Sequence, residues 1–447
     1  MLALVALVAS PGGAAPTDPG PEAKRGVPDY DGRGNPDTDG ESWLLWIPRV
    51  VLFPLYVVNE YMLRRPLGAL ASRAERDRWS DSVVHLFTSA GGSKSSVVPT
   101  AAFDLGLLPR VGAVYTRDDL FAAGNALVLR GATWGPRWIE VALADRYALD
   151  RGEPGTDPDD ADHVQIGLAV QRAEDNLFVG IGPDAARSTR SRYGAERFEA
   201  SAAYHRQLPG PAELDIASGV HRIEFVAGSC CDDPSLDTRI GRGELMAPPG
   251  YRDNYTAAYG RVELTVDTRR PRPEPGTGAY LHASGAPSVE PGTGQAWIEY
   301  GGTAGAALDL TGHRRTLRVE LAVDMVDRIA GGAVPFTEYP GLGGELLPGF
   351  APGWLIGPSA AAAQLGYSWP LWLGLDAQAR VAVGNAFADH LSDLAPRKLR
   401  LSGDLGLSTS TVRDAGFELL VGLGTETFEQ GAAVTSVRVM LGTKRGF

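Results

Sequence analysis

The sequence predicts an all-β chain, a sixteen-stranded antiparallel transmembrane β-barrel with a short N-terminal helical segment. Three observations lead there. Aliphatic and charged residues alternate with period two in stretch after stretch, as in strands with an apolar face turned to lipid and a polar face turned to a lumen. Glycine and proline supply 56 and 32 of the 447 residues, which leaves few long helices. The apolar stretch Val50 to Val58 is split by Pro54 and falls well short of the ~20 residues a membrane-spanning helix needs.

Taken in chain order, residues 1–15 (MLALVALVASPGGAA) resemble the end of a secretory signal. An apolar run, a helix breaker and small residues end at Ala15, although the positive amino-terminal region is missing. Residues 16–41 are rich in Pro, Gly and Asp and read as a disordered linker. Residues 42–95 form a helical prefix and linker, cut into short pieces by Pro48, Pro54 and Pro66. That prefix fits either an amphipathic segment on a membrane or inside a pore, or a helix capping one end of the main domain. Residues 96–447 are assigned to the barrel.

Strands are expected near 111–118, 123–132, 137–147, 162–172, 176–182, 191–206, 212–226, 257–268, 278–286, 294–310, 315–327, 355–369, 374–387, 397–409, 414–425 and 433–447. The clearest has Leu317, Val319, Leu321, Val323 and Met325 on one face and Thr316, Arg318, Glu320, Ala322 and Asp324 on the other. Leu399, Leu401, Leu405 and Leu407 likewise oppose Arg400, Ser402, Asp404 and Gly406. A soluble sandwich also alternates, but full charge on one face of strand after strand favours the barrel. If the first strand runs outward, segments 148–161, 227–256 and 328–354 lie outside. The turns near Trp134, Pro209, Gly312 and Asp414 then lie inside.

The chemistry is sparse. A net charge of −12, with an acidic run from Asp157 to Asp162, excludes nucleic acid as a partner. The two cysteines, Cys230 and Cys231, are adjacent and fit a vicinal disulfide clipping a loop, two free thiols, or a redox or metal-touching element. No Gly-x-Ser-x-Gly elbow, His-Glu-x-x-His or phosphate loop occurs, so neither an enzyme nor a cofactor is expected. Gly91 to Ser95 lacks phosphate-loop spacing and reads as the linker entering the barrel. His163 and His205 fall in strands near charged neighbours, which suits hydrogen bonding in a lumen.

The segment PFTEYPGLGGELLPGFAPG carries Pro335, Phe336, Leu342, Gly343, Gly344, Leu347, Pro348, Gly349 and Phe350. It resembles the long sixth outer loop of the BamA/TamA-type outer-membrane superfamily, the bacterial surface antigens. Trp369, Pro370, Val383, Gly384, the stretch FVGIGP at Phe178 to Pro183, and a terminal Phe447 like that of many outer-membrane barrels add to the resemblance, which spans residues 96–447. The resemblance implies a bacterial outer-membrane barrel acting in membrane biogenesis or in transport of protein or lipid. Its partners would be outer-membrane lipid and a separate periplasmic protein, because residues 1–95 show no pattern of periplasmic POTRA domains. Two positions depart from the family. A loop arginine that meets an acidic wall residue is replaced here by Pro348, and the wall residue by Ala382. A passive pore or structural surface protein is therefore the alternative expectation, and a soluble all-β protein a third.

Overall fold

A computed structural model of the protein describes residues 95–149, 161–269, 276–311, 314–372, 375–409 and 416–444. The strands are β1 (Ser95–Asp104), β2 (Arg110–Asp118), β3 (Asn125–Thr133), β4 (Trp138–Ala148), β5 (His163–Phe178), β6 (Ser191–Gln207), β7 (Ala212–Val226) and β8 (Tyr255–Asp267). They continue as β9 (Gly278–Glu290), β10 (Gln295–Asp309), β11 (Thr316–Ala330), β12 (Ser359–Trp372), β13 (Leu375–Phe387), β14 (Arg400–Thr409), β15 (Gly416–Thr427) and β16 (Val434–Lys444). Each strand pairs with its sequence neighbours and β1 pairs with β16, so the sheet closes as one barrel. Closing a sheet on itself is how β-structure satisfies its backbone in a medium without water. Among the described residues no helix is long and apolar enough to cross a membrane. A short helix, α1 (Leu236–Gly241), lies between β7 and β8, capped by the Ser235 side chain accepting from the Thr238 amide.

Register turns the period-two pattern into two surfaces. Thr316, Arg318, Glu320, Ala322 and Asp324 stand opposite Ser368, Gly366, Gln364, Ala362 and Ala360 of β12, all on the lumen face. On the other face Val319, Leu365 and Val381 lie side by side across β11, β12 and β13, while Leu405 adjoins Val421 across β14 and β15. These outward aliphatics are all exposed and form an apolar band. Arg400, Ser402, Asp404 and Gly406 face inward, as their alternation with leucines predicts.

The strand count matches expectation, but two assignments do not. The first strand is Ser95–Asp104, a stretch partly taken as linker. Its lumen-side residues Ser96, Val98, Thr100 and Ala102 are small, so the polar-apolar contrast that marks the other strands is faint. Residues 176–182 are not a strand of their own: β5 runs on to Phe178, and the chain beyond it turns into the barrel as a loop. The two differences cancel in number yet invert the direction of the strands between them. β4 therefore ends, and β5 begins, at the end where β1 starts and β16 finishes, hereafter the turn end, and residues 150–160 between them, with most of the acidic run, lie outside the described residues. The turn at Trp134 lies at the opposite, loop end, together with segments 227–254 and 331–358. The Pro209 turn sits at the turn end as expected. The signal-like segment, the linker, the helical prefix, Gly312, Asp414 and Phe447 lie outside the described residues.

The apolar core sits inside the loop-end half of the barrel. Leu177, Val179, Leu342, Leu347, Phe350, Trp354 and Leu355 pack on a wall of Ala360, Ala362, Ala382 and Ala386. Alanines on the lumen face leave the depth that two inserted loops need.

The outward face predicts its own sensitivity. Val421→Arg places a charge in the apolar band and is expected to cost about 2–4 kcal/mol if it sits at the bilayer midplane, read by urea titration of the barrel refolded in lipid vesicles. Ser408→Arg, on the lumen face of β14, is expected to cost clearly less in the same titration.

Candidate functional site: the loop-six seat and the barrel seam

The site begins with a groove cut by glycine. Gly422 and Gly424 are successive lumen-side residues of β15. A Cβ at Gly424 would lie 2.5 Å from the Phe350 ring, and one at Gly422 would lie 2.9 Å from the Pro348 carbonyl oxygen. Only a strand without side chains at these two places can take the tip of loop six, residues 331–358, this closely. The tip folds on itself through hydrogen bonds from the Gly344 amide to the Phe350 carbonyl (2.9 Å) and from the Phe350 amide to the Leu347 carbonyl (2.9 Å). Leu342, Leu347 and Phe350 are thereby buried against the alanine wall.

Wall side chains then satisfy the polar backbone that this burial strands. The Gly349 amide donates to Ser402 Oγ of β14 at 2.8 Å, and its carbonyl accepts from Ser436 Oγ of β16 at 2.7 Å. Gln364 of β12 donates to the carbonyls of Glu345 and Leu346 at 3.1 and 3.2 Å. Each such bond is worth about 1 kcal/mol net, and the penalty for leaving a buried group unmet is larger.

Arg438 of β16 makes the central contact. Its Nη1 donates to the carbonyls of Gly344 (3.0 Å) and Pro348 (3.4 Å), while Nε and Nη2 lie 2.9 and 2.8 Å from Asp104 Oδ2 of β1. One guanidinium thus holds the last strand, the first strand and the loop tip. Pro348 and the buried Ala382 stand where the resemblance to the surface antigens implies an ion pair, and here the cation stands on the wall while the loop offers it carbonyl oxygens. A second buried arginine, Arg400 of β14, pairs with Glu426 at 2.6 Å and donates to the carbonyls of Pro183 (3.1 Å) and Ala185 (2.5 Å). The FVGIGP stretch is therefore the segment that enters beside loop six, joined to it where the Gly182 amide meets the Ile356 carbonyl at 2.8 Å.

The seam where Arg438 stands is short. Among the described residues β1 and β16 are in register from Ala102 opposite Gly442 to Asp104 opposite Met440, with one more bond from the Leu105 amide to the Val439 carbonyl at 2.9 Å, whereas β5 and β6 pair from His163 to Phe178. Pro99, which has no amide hydrogen, lies in the part of β1 without a β16 partner among the described residues.

The base of loop six is tied separately. Burial raises the Glu338 carboxyl, but His221 and the Tyr255 hydroxyl beside it outweigh burial and hold it below the ordinary carboxylate range. His221 Nε2 lies 3.4 Å from Glu338 Oε1, and Tyr255 donates to the same oxygen. Phe336 packs on Phe178, Tyr193 and Phe225 beside this cluster.

Cys230 and Cys231 are joined to each other, Cys230 buried against Leu108, Trp138 and Ala173 and Cys231 exposed. They are remote in role from the loop-six tip: the adjoining Asp233 pairs with Arg190 and Arg192 at the loop-end rim. Among the described residues no group of three or more His, Cys, Asp or Glu forms a metal cage. The sequence reading found the loop and Ala382 but missed Arg438, Asp104, Ser402 and Ser436. The available signal was a lone arginine on the lumen face of the last strand, in a chain whose loop lacks one.

Two outcomes follow from this geometry. Arg438→Ala leaves Asp104 without its cation, which is expected to cost about 3–5 kcal/mol and to open loop six to protease in the folded, detergent-solubilised barrel; Gly424→Val is expected to give the same cleavage by displacing Phe350. A carboxyl held low in the folded state adds stability that is present above its ordinary value and lost as pH falls through the folded value. Protection of the loop base is therefore expected to hold at neutral pH and to decay below about pH 4.3, the ordinary glutamate range. Limited proteolysis across pH checks this, and Glu338→Gln should flatten the profile.

No family model and no curated protein matches the sequence. Solved structures do. The crystal structure of BamA from Haemophilus ducreyi lacking POTRA domains 1–3 superposes with a TM-score of 0.56 at 13% identity, covering 79% of this chain and 70% of that one. CdiB from Acinetobacter baumannii and CdiB from Escherichia coli superpose at TM-scores of 0.48, with 11% and 12% identity. They are matched over 79% and 80% of this chain, which spans 60% and 64% of theirs. The closed sixteen-stranded barrel of this chain has the fold of a BamA-type outer-membrane barrel.

Proposed function

We propose that the protein resides in the bacterial outer membrane, loop end outward, and acts in outer-membrane biogenesis or in moving a protein or lipid into or across that membrane. The reading is non-enzymatic. A separate periplasmic protein delivers the client, and the β1–β16 seam is the part that moves. The observation that carries this is the seam itself: among the described residues it is in register over three residues, and its buried ion pair also anchors the lumen loop.

The test combines deletion and locking. Deletion of the gene is expected to deplete particular outer-membrane proteins or lipids in a full inventory, and the wild-type gene to restore them. Ala102→Cys with Gly442→Cys places two cysteines opposite each other across the seam. This variant is expected to restore the inventory only under reducing conditions. An unchanged inventory on deletion, or full activity with the seam oxidised, overturns the reading.

A passive pore is the second reading, favoured by Arg197, Glu199, Arg261 and Glu263 on the lumen face opposite the loop-six wall. Planar-bilayer recording separates the two: steady ohmic channels from the wild-type barrel would support the pore, and a closed barrel would exclude it.

A further inference from the structure

Arg318 faces the lumen near the turn end of β11, in register with Ala307 of β10 and Gly366 of β12. Both neighbours are too small to cover it, so the side chain stands half-buried over a shallow floor. Among the described residues no hydrogen bond or ion pair meets its guanidinium. The acids around it are already matched. Glu320 accepts from the Tyr280 hydroxyl, and Asp404 takes Nε and Nη2 of Arg380 at 3.0 Å each. Asp267 takes Nε and Nη2 of Arg269 at 2.9 and 2.7 Å, and Asp376 takes Nη2 of Arg314 at 2.7 Å. Glu418 accepts from Gln378 at 2.9 Å and lies 3.8 Å from Arg380.

Two of those arginines flank Arg318. Arg269 lies over the Tyr280 ring, 4.1 Å from its centroid, and that ring fills the space above Gly305, where a Cβ would come within 2.4 Å of it. On the other side the Arg380 stem passes over Gly366, whose Cβ would lie 3.5 Å from Arg380 Cγ. Of the charges that act on Arg318, Arg269 and Arg380 repel it and Glu320 attracts it. A half-buried cation with unmet donors beside two like charges is costly to the free barrel, and a planar guanidinium fork matches an oxyanion. We propose that Arg318, flanked by Arg269 and Arg380, binds a phosphoryl group in the lumen near the turn end. The Arg318 fork meets two phosphoryl oxygens. Arg269 and Arg380 commit Nε and Nη2 to their own carboxylates, which leaves Nη1 of each for a further oxygen. A carboxylate lacks that third oxygen and the second charge. The phosphoryl group comes from free phosphate or from a lipid headgroup entering the lumen, and the site does not depend on whether the barrel moves a client.

Calorimetric titration of the full chain in non-ionic detergent, in buffer free of phosphate and sulfate, tests the site with two probes, inorganic phosphate and dihexanoyl phosphatidate. Binding of inorganic phosphate alone, or of both probes alike, supports a site for the free anion. Binding of the phosphatidate alone, or clearly more tightly, supports a site for a lipid headgroup. Arg318→Gln is expected to weaken binding about tenfold or more, the loss of a charge-assisted hydrogen bond, and Arg397→Gln, at the loop end, to leave it unchanged. Because Arg318 has no partner in the free barrel, Arg318→Gln is expected to keep the heat-modifiable gel shift of a closed barrel and the wild-type thermal midpoint. The bound probe is expected to raise that midpoint for the wild type and not for the variant. Failure of the folded wild type to bind either probe, or equal binding by folded Arg318→Gln, overturns the proposal.

Discussion

The Arg438 guanidinium is the contact on which the other features of this barrel depend. Its hydrogens go in two directions, toward Asp104 on the first strand and toward loop carbonyls inside the lumen. Closure of the sheet and occupation of the lumen are thus one electrostatic arrangement. Its strength comes from burial, since a charge-assisted hydrogen bond away from water is worth roughly twice a neutral one. Its vulnerability has the same source, because either partner alone is a buried charge without compensation.

The lumen around that contact is divided by side-chain size. From β12 to β15 the inward positions are mostly alanine, glycine and serine, which make a shallow wall for inserted backbone. From β6 to β9 and on β11 the inward positions carry arginine, glutamate, tyrosine and histidine, which fill space by themselves and pair across the lumen face, as Tyr259 does with Glu199 and Tyr280 with Glu320. An inserted loop therefore has one wall it can approach closely. Two arginines, Arg400 on that wall and Arg438 on β16 beside it, then fix two different loops by the same device, a planar donor fork meeting backbone carbonyls.

Most of the barrel was legible because alternation is a physical necessity of a sheet between lipid and a polar lumen. Leu321 against Glu320 and Leu405 against Asp404 announce their faces without any tertiary information. The first strand was not legible, since Val98 and Ala102 on its lumen side are as apolar as Val97 and Ala101 outside. The stretch at 176–182 misled for a related reason: Val179 is apolar because it is buried under loop six, not because it faces lipid. In the site, the loop tip and Ala382 could be placed by likeness to a family. The replacement lock could not, because Asp104 and Arg438 are 334 residues apart in sequence and neither belongs to the loop.

That separation also orders assembly in time. The two halves of the clasp lie on the first and last strands, so no nascent or partly paired sheet can form it, however many of the intervening hairpins have already zipped. Until the ends of the barrel meet, Arg438 has the carbonyls of Gly344 and Pro348 within its reach but lacks Asp104, its one charged partner. The full set of contacts around the loop tip, with the charge of Arg438 met by Asp104, therefore exists only when all sixteen strands are in place.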